Sequence, residues 1–420
     1  MTTTIAYKNS RLFMEDVDLT AVAEKFGTPL YCYSAGQIAE NYDAYRRALK
    51  SVTDDFTICY AAKANSNLAV LKLLQSKGAG ADIVSGGELK RALAAGISPK
   101  KIVYSGVGKS DAELAFAIRT GIMQINVESE PELEAISRIA KKLKKTADVS
   151  IRVNPNVDAK THAKITTGKK ENKFGIDIDL APPLYKRALK LPNIRAIGVA
   201  VHIGSQLTSL APYKRAYERV AELVIALRKQ GNDIRRVDLG GGIGITYRDE
   251  TPIDLYLYAL MVRDVILPLN VHIVVEPGRF IVGDAGVLLS RVVSIKQGHD
   301  KKFLILDAAM NDLMRPSLYD AYHAVKPLKK GGRPTLYDIV GPVCETGDTF
   351  HIDETLPQVN TGDLVAIMTA GAYGAVMSSN YNTRPLAGEA IVQGKKFGLA
   401  RKPQTAEDLV KNDLVPGWLA

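Results

Sequence analysis

The chain has 420 residues, of which 46% are hydrophobic and 24% charged, with a formal net charge of +10. That length exceeds what one small core needs, so a large domain with a second one beside it is expected. The composition is that of a globular protein, and no apolar run is long enough to span a bilayer. Residues 1–8 lack a basic segment followed by an apolar stretch, so the cytoplasm is the expected location.

Residues 5–8 form a short strand-like start that could pair with a sheet later in the chain. From 56 to 279, short β-branched runs alternate with longer amphipathic segments, the pattern of repeated βα units around a parallel sheet. Strands are expected at 56–62, 81–85, 102–106, 123–128, 149–155, 196–204, 236–242 and 271–279. Helices are expected at 67–77, 87–95, 111–119, 131–145, 213–229 and 253–267. Ser129-Glu130-Pro131-Glu132 supplies a cap, acids and an early proline, which start a helix there. Eight strands in this register predict a TIM (β/α)8 barrel over 30–280, with a doubly wound sheet as the alternative. Beyond 280 the texture changes to short apolar alternations at 285–295, 302–307, 335–340 and 363–370. These predict a β-rich C-terminal domain formed by 281–420 together with 1–29.

Three cysteines without CxxC or Cys/His spacing argue against a disulfide framework and against a metal site. Cys32 and Cys59 lie in apolar runs and read as packing residues, whereas Cys344 lies in the polar, turn-rich stretch Gly341-Pro342-Val343-Cys344-Glu345-Thr346-Gly347-Asp348, where a thiol is reachable. The basic runs at 141–145 and 329–333 carry no interleaved aromatics, so they read as solvated faces and no nucleic-acid partner is expected.

In barrels of this kind chemistry sits at the C-terminal ends of the strands. Those ends here carry Lys63, Asp82, Ser85, Ser105, Glu128, Arg152, Asn154, His202, Ser205, Gly240 to Gly242, Glu276 and Arg279. Lys63, in Tyr60-Ala61-Ala62-Lys63-Ala64-Asn65, follows apolar residues, and burial would favour the neutral amine that captures an aldehyde. Otherwise it is a surface lysine. Gly240-Gly241-Gly242 after strand seven could offer backbone N–H groups to a phosphate, or be a tight turn. The ring of His202 could stack on a flat cofactor or pack in the core. Glu276, in Glu276-Pro277-Gly278-Arg279, could hold a pyridine nitrogen protonated or pair with Arg279. Together they point to pyridoxal 5'-phosphate. Arg279 and Arg315 are suited to bidentate contact with carboxylate or phosphate, or to surface ion pairs.

These motifs, in this order, resemble the fold type III pyridoxal phosphate decarboxylases, which join an alanine-racemase-like barrel to a C-terminal β domain. Five further segments begin at Gly80, Tyr104, Met310, Gly341 and Ala370, the last reading Ala370-Gly371-Ala372-Tyr373-Gly374. They narrow the resemblance to the diaminopimelate decarboxylase family, which takes meso-2,6-diaminopimelate to L-lysine and CO2 at the end of lysine biosynthesis. The resemblance implies that Lys63 binds the cofactor aldehyde, His202 stacks on its ring, Ser205 and Gly240 to Gly242 hold its phosphate, and Glu276 meets its ring nitrogen. It also lines the cofactor with Pro277, Gly278, Arg279 and Tyr373. By the same implication Arg279, Arg315, Tyr319 and Tyr373 contact the substrate, Glu345 binds its distal ammonium, and Cys344 is the proton donor. Cys344 and Glu345 would come from the second subunit of a homodimer. Asn172-Lys173-Phe174-Gly175 matches the family's segment after a mobile loop, and Asp307-Ala308-Ala309-Met310 departs from an expected Asp-Ala-Gly-Met. Related decarboxylases of ornithine, arginine or carboxynorspermidine, an amino acid racemase, and a non-catalytic relative are the alternatives.

Overall fold

The structure, a computed structural model, describes residues 4–158 and 173–419. The chain divides into two compact units, one of residues 39–246 and 250–281, the other of residues 1–38, 247–249 and 282–420.

Eight parallel strands form the barrel of the first unit: β1 Phe56–Ala61, β2 Gly80–Ile83, β3 Ile102–Tyr104, β4 Gln124–Val127, β5 Ala147–Asn154, β6 Ile194–Val201, β7 Arg236–Asp238 and β8 His272–Val275, and the two-residue strand Ile176–Asp177 adds to β5. Each pairs with the next, and β8 returns to β1 through Ile273↔Phe56, Val274↔Thr57 and Val275↔Ile58. That last pairing closes the barrel and rules out the open, doubly wound alternative. Local chemistry sets the helices between the strands. Ser129 caps Glu130–Lys142 by accepting from the Glu132 N–H, as its sequence implies. Ser110 and Glu113 form a reciprocal capping box at the start of Asp111–Thr120, which ends on Gly121 in the left-handed region.

Inside the barrel, Cys59, Val103, Met123 and Val274 form an apolar cluster. Nearer the strand ends the filling turns polar. Gln124 and Asn126 both point inward, as a two-residue period requires, and both donate to Asp238 Oδ2, at 3.1 and 3.0 Å.

The second unit is built on β sheets. Gly286–Gln297 is its longest strand at 12 residues and pairs antiparallel with Leu30–Ser34, Lys302–Leu306 and Leu364–Ile367. Leu30–Ser34 also runs parallel to Gly388–Gln393. The boundary expected at residue 30 is therefore corrected to residue 38, because Leu30–Ser34 finds its partners in the β-rich unit. Ile5–Lys8 pairs with Arg11–Met14 in a small three-stranded sheet of its own. The expected pairing with the C-terminal region is not a full ladder but includes the Leu12 N–H donating to Leu328 O at 2.8 Å, the Lys330 N–H donating to Ser10 O at 2.7 Å and an Arg11/Lys329 bridge. Met14, Leu19, Val22, Cys32, Val287, Leu289 and Ala390 share this unit's core. Among the described residues no helix is long and apolar enough to cross a membrane.

Candidate active site

Lys63 sits in the single 3-10 turn Ala62–Ala64 that follows β1. The Tyr60 hydroxyl donates to Asn65 O at 2.9 Å and pins the turn. Lys63 Nζ lies 2.7 Å from Oδ2 of Asp82, which is fully buried at the matching level of β2. The expectation of an amine set among apolar groups is thus corrected to an ion pair. Glu276 directly follows β8, and the next peptide joins the two strand ends, since the Ala61 N–H donates to Pro277 O at 3.1 Å. A Cβ on Gly278 would stand 3.0 and 3.1 Å from the Cβ atoms of Ala64 and Ala61, so only glycine lets this link approach the lysine turn.

Glu276 is 8% exposed and accepts from Ser105 Oγ at 3.2 Å and Asn126 Nδ2 at 3.5 Å. Burial pushes its carboxyl well above the usual range, the negative charges of Asp238 and Asp82 add to that, and Lys63 opposes it. Asp238 is raised as well, chiefly by burial, with Asn126 and the Gly240 N–H opposing. Two neighbouring carboxyls in low dielectric cannot both ionise at little cost, so the pair retains a proton.

The run Gly240-Gly241-Gly242 follows β7 and is wedged between neighbouring strand ends. Gly240 has φ of 66°, and a Cβ there would meet Val201 O at 2.5 Å. A Cβ on Gly241 would meet Glu276 O at 2.2 Å. The Tyr213 and Tyr217 hydroxyls, both on helix Leu210–Lys229, donate to Gly241 O and Leu239 O at 3.1 and 3.2 Å. His202, just after β6, accepts the Gly241 N–H at Nδ1 over 3.2 Å, which leaves its ring proton on Nε2. Burial and then the charges of Arg152 and Lys63 hold this imidazole well below its ordinary pKa, hence neutral. Arg279 Nη2 donates to Ser205 Oγ at 3.1 Å.

Glu128 and Arg152, at the ends of β4 and β5, pair with each other. Glu128 accepts from Arg152 Nη1 at 2.9 Å, from the Gly106 N–H at 3.1 Å and from the Gly175 N–H at 2.6 Å, while the Arg152 guanidinium lies over the Phe174 ring. Asn172, placed by the sequence in the same segment, lies outside the described residues.

In the β-rich unit Arg315 and Tyr319 share the short helix Arg315–Tyr319, and Ser317 between them donates to Gly347 O at 2.7 Å. This ties the helix to the loop holding Cys344 and Glu345, both exposed. Asp348 shapes that loop by accepting the Met310 and Val343 N–H groups at 2.6 and 2.7 Å. Cys32 and Cys59 are buried, as expected. Tyr373 has φ of 56°, a left-handed conformation that bulky residues adopt at a cost of about 1–2 kcal/mol. Ala309 is fully buried and its φ is not left-handed, so an alanine fits where glycine was expected.

Sequence reasoning missed Asn126, Asp238, Tyr213 and Tyr217. The inward period of Gln124 and Asn126, and the place of Asp238 immediately before the glycines, were the signals available.

A family model described as "Pyridoxal-dependent decarboxylase, pyridoxal binding domain" matches residues 35–283. A diaminopimelate decarboxylase of Neisseria meningitidis is 49% identical over 96% of this chain and 99% of its own length. The chain belongs to the diaminopimelate decarboxylase family. Solved members of that family agree. The enzyme from M. jannaschii superposes with a TM-score of 0.95 at 40% identity, covering 99% of both chains. The Helicobacter pylori enzyme, complexed with L-lysine, gives 0.91 at 43%, covering 94% of this chain and 98% of its own. Membership makes this chain a pyridoxal-phosphate-dependent decarboxylase.

Proposed function

We propose that this chain decarboxylates meso-2,6-diaminopimelate to L-lysine and CO2, the last step of lysine biosynthesis, in the cytoplasm. The carrying observation is the junction of the Lys63 turn with Glu276-Pro277 across the barrel closure, in a chain of this family. The residues fit pyridoxal phosphate. The three glycines pack so closely on neighbouring backbone that none admits a Cβ, leaving a bare-backbone turn suited to a phosphate, and the buried Glu276 and Asp238 carboxyls are ones that a protonated ring nitrogen would balance. Lys63 would hold its aldehyde carbon, the neutral His202 ring would lie against its ring, Ser205 and Gly240 to Gly242 would hold its phosphate, and Pro277, Gly278 and Tyr373 would line it. When bound, the cofactor supplies an electron sink for the pair released as the Cα–carboxylate bond breaks.

With the cofactor bound, Glu276 would supply the negative charge that holds its ring nitrogen protonated, so this residue would act more on the rate than on binding. Cys344 gives a proton to Cα in place of the departing CO2. Arg279, Arg315 and Tyr319 take the distal carboxylate, and Glu345 takes the distal ammonium. The exposure of Cys344 and Glu345 supports their donation to the site of a second copy in a homodimer. A substrate without the distal carboxylate leaves the Arg315 cation unmatched, which costs about 1–3 kcal/mol or more. The test is CO2 release from meso-diaminopimelate, ornithine and L-lysine by the loaded enzyme. Strong preference for the first supports the reading, and equal or reversed rates refute it.

A further inference from the structure

Arg315 is 6% exposed, and its Nε–H donates to His323 Nε2 at 3.1 Å. His323 is 1% exposed, and its Nδ1 lies 3.0 Å from the Met368 carbonyl. A carbonyl only accepts, so the ring proton sits on Nδ1 and the lone pair on Nε2 faces Arg315. Tyr247 packs edge-on against the imidazole at 5.4 Å and 79°, and the His323 backbone carbonyl lies 2.7 Å from His351 Nε2. The Arg315 guanidinium is 5.1 Å from the Tyr247 ring centre and 5.9 Å from that of Tyr319.

We propose that His323 is a positioning residue that orients the Arg315 guanidinium and thereby sets the preference for ligands carrying a distal carboxylate. An arginine can grip a carboxylate through its Nε–Nη edge or through its Nη1–Nη2 end. With His323 on Nε, the Nη1–Nη2 end is the one presented to a ligand. A neutral imidazole satisfies the Nε–H without neutralising the cation, whereas a carboxylate there would cancel the charge that a ligand needs. Tyr247 and Tyr319 then fix the tilt of the guanidinium plane, so a bidentate contact is formed with little ordering left to do.

This inference rests on the assignment of Arg315 to the distal carboxylate. The test compares L-lysine, which carries the distal head unchanged, with 1,5-diaminopentane, which lacks its carboxylate. Both are titrated calorimetrically into the holoenzyme. His323→Leu is expected to lower the preference for L-lysine at least about 10-fold while the visible absorbance of bound cofactor and the affinity for the diamine persist. The KM for diaminopimelate rises more than kcat falls. His323→Gln, whose amide can accept and donate, recovers most of the preference. His323→Glu, which accepts the same N–H but cancels the cation, loses it, and serves if the leucine variant fails to fold. Unchanged preference in His323→Leu or His323→Glu, with loss of it in Arg315→Ala, overturns the role of His323. Unchanged preference in Arg315→Ala overturns the assignment of Arg315 itself.

Discussion

Lys63 Nζ stands 2.7 Å from Oδ2 of Asp82, whose side chain has no solvent-exposed surface. The ammonium that pairs with this buried carboxylate is the one assigned to the cofactor aldehyde. Lys63→Ala is expected to abolish both turnover and the visible absorbance of bound cofactor. It also leaves Asp82 buried beside no cation, a cost of about 1–2 kcal/mol after screening of the part-exposed ammonium. Urea unfolding of the cofactor-free proteins checks this. Adding Asp82→Asn to Lys63→Ala should recover the stability and none of the activity.

The buried Glu276 carboxyl is raised above its ordinary value of 4.5. In the unfolded chain it ionises near that value, so between there and its folded pKa the folded state binds more protons. Its stabilising contribution is complete below the unfolded pKa and is lost as pH rises through the folded one. The cofactor-free protein should lose stability as pH rises above 4.5 and through the raised folded pKa, and Glu276→Gln should flatten that slope. In the loaded enzyme the same substitution should reduce kcat by on the order of 10²-fold, with a smaller change in cofactor affinity.

Gly241 faces the Glu276 carbonyl so closely that an added Cβ would lie 2.2 Å from its oxygen. Backbone has no rotamer to yield. Gly241→Ala is expected to cost about 1–3 kcal/mol in unfolding free energy and to weaken cofactor binding, read from the absorbance during dialysis. A substitution tolerated without loss of either would show that the β7 turn can move away from β8.

Cys344 is exposed, and its backbone N–H is held by Asn382 Oδ1 at 2.9 Å. Cys344→Ala should lower turnover strongly with cofactor absorbance intact and stability within about 0.5 kcal/mol of the parent. Mixing it with Lys63→Ala protein under conditions that exchange subunits should restore activity, because one hybrid site then holds both groups. No restoration after proven exchange would place both groups in one chain's site.

Much of the barrel was legible beforehand. Alternating β-branched and amphipathic stretches, a serine cap at Ser129 and glycine punctuation are local signals, and local rules set where βα units begin and end. The N-terminal boundary was not legible, because Leu30–Ser34 is apolar in either setting and only its pairing with Gly286–Gln297 and Gly388–Gln393 assigns it. The motif residues Lys63, His202, Gly240, Glu276, Arg315 and Cys344 could be named from the sequence because each stands in a short, chemically distinctive context. Their pairings could not. Asp82 and Ser105 were legible as strand ends but not as neighbours of Lys63 and Glu276, and Asn126 against Glu276, Tyr213 against Gly241 and His323 against Arg315 are separated by 8 to 150 residues and carry no motif.

The sequence by itself pointed to the kind of chemistry, since a lysine, a glycine run and a carboxylate at strand ends are residue types suited to an aldehyde, a phosphate and a ring nitrogen. Only the tertiary structure decided the protonation and orientation of those groups. Burial, like charge and a single hydrogen bond set a carboxyl's proton or an arginine's direction, and each depends on which distant side chain the closed barrel or the β sheet brings within about 3 Å.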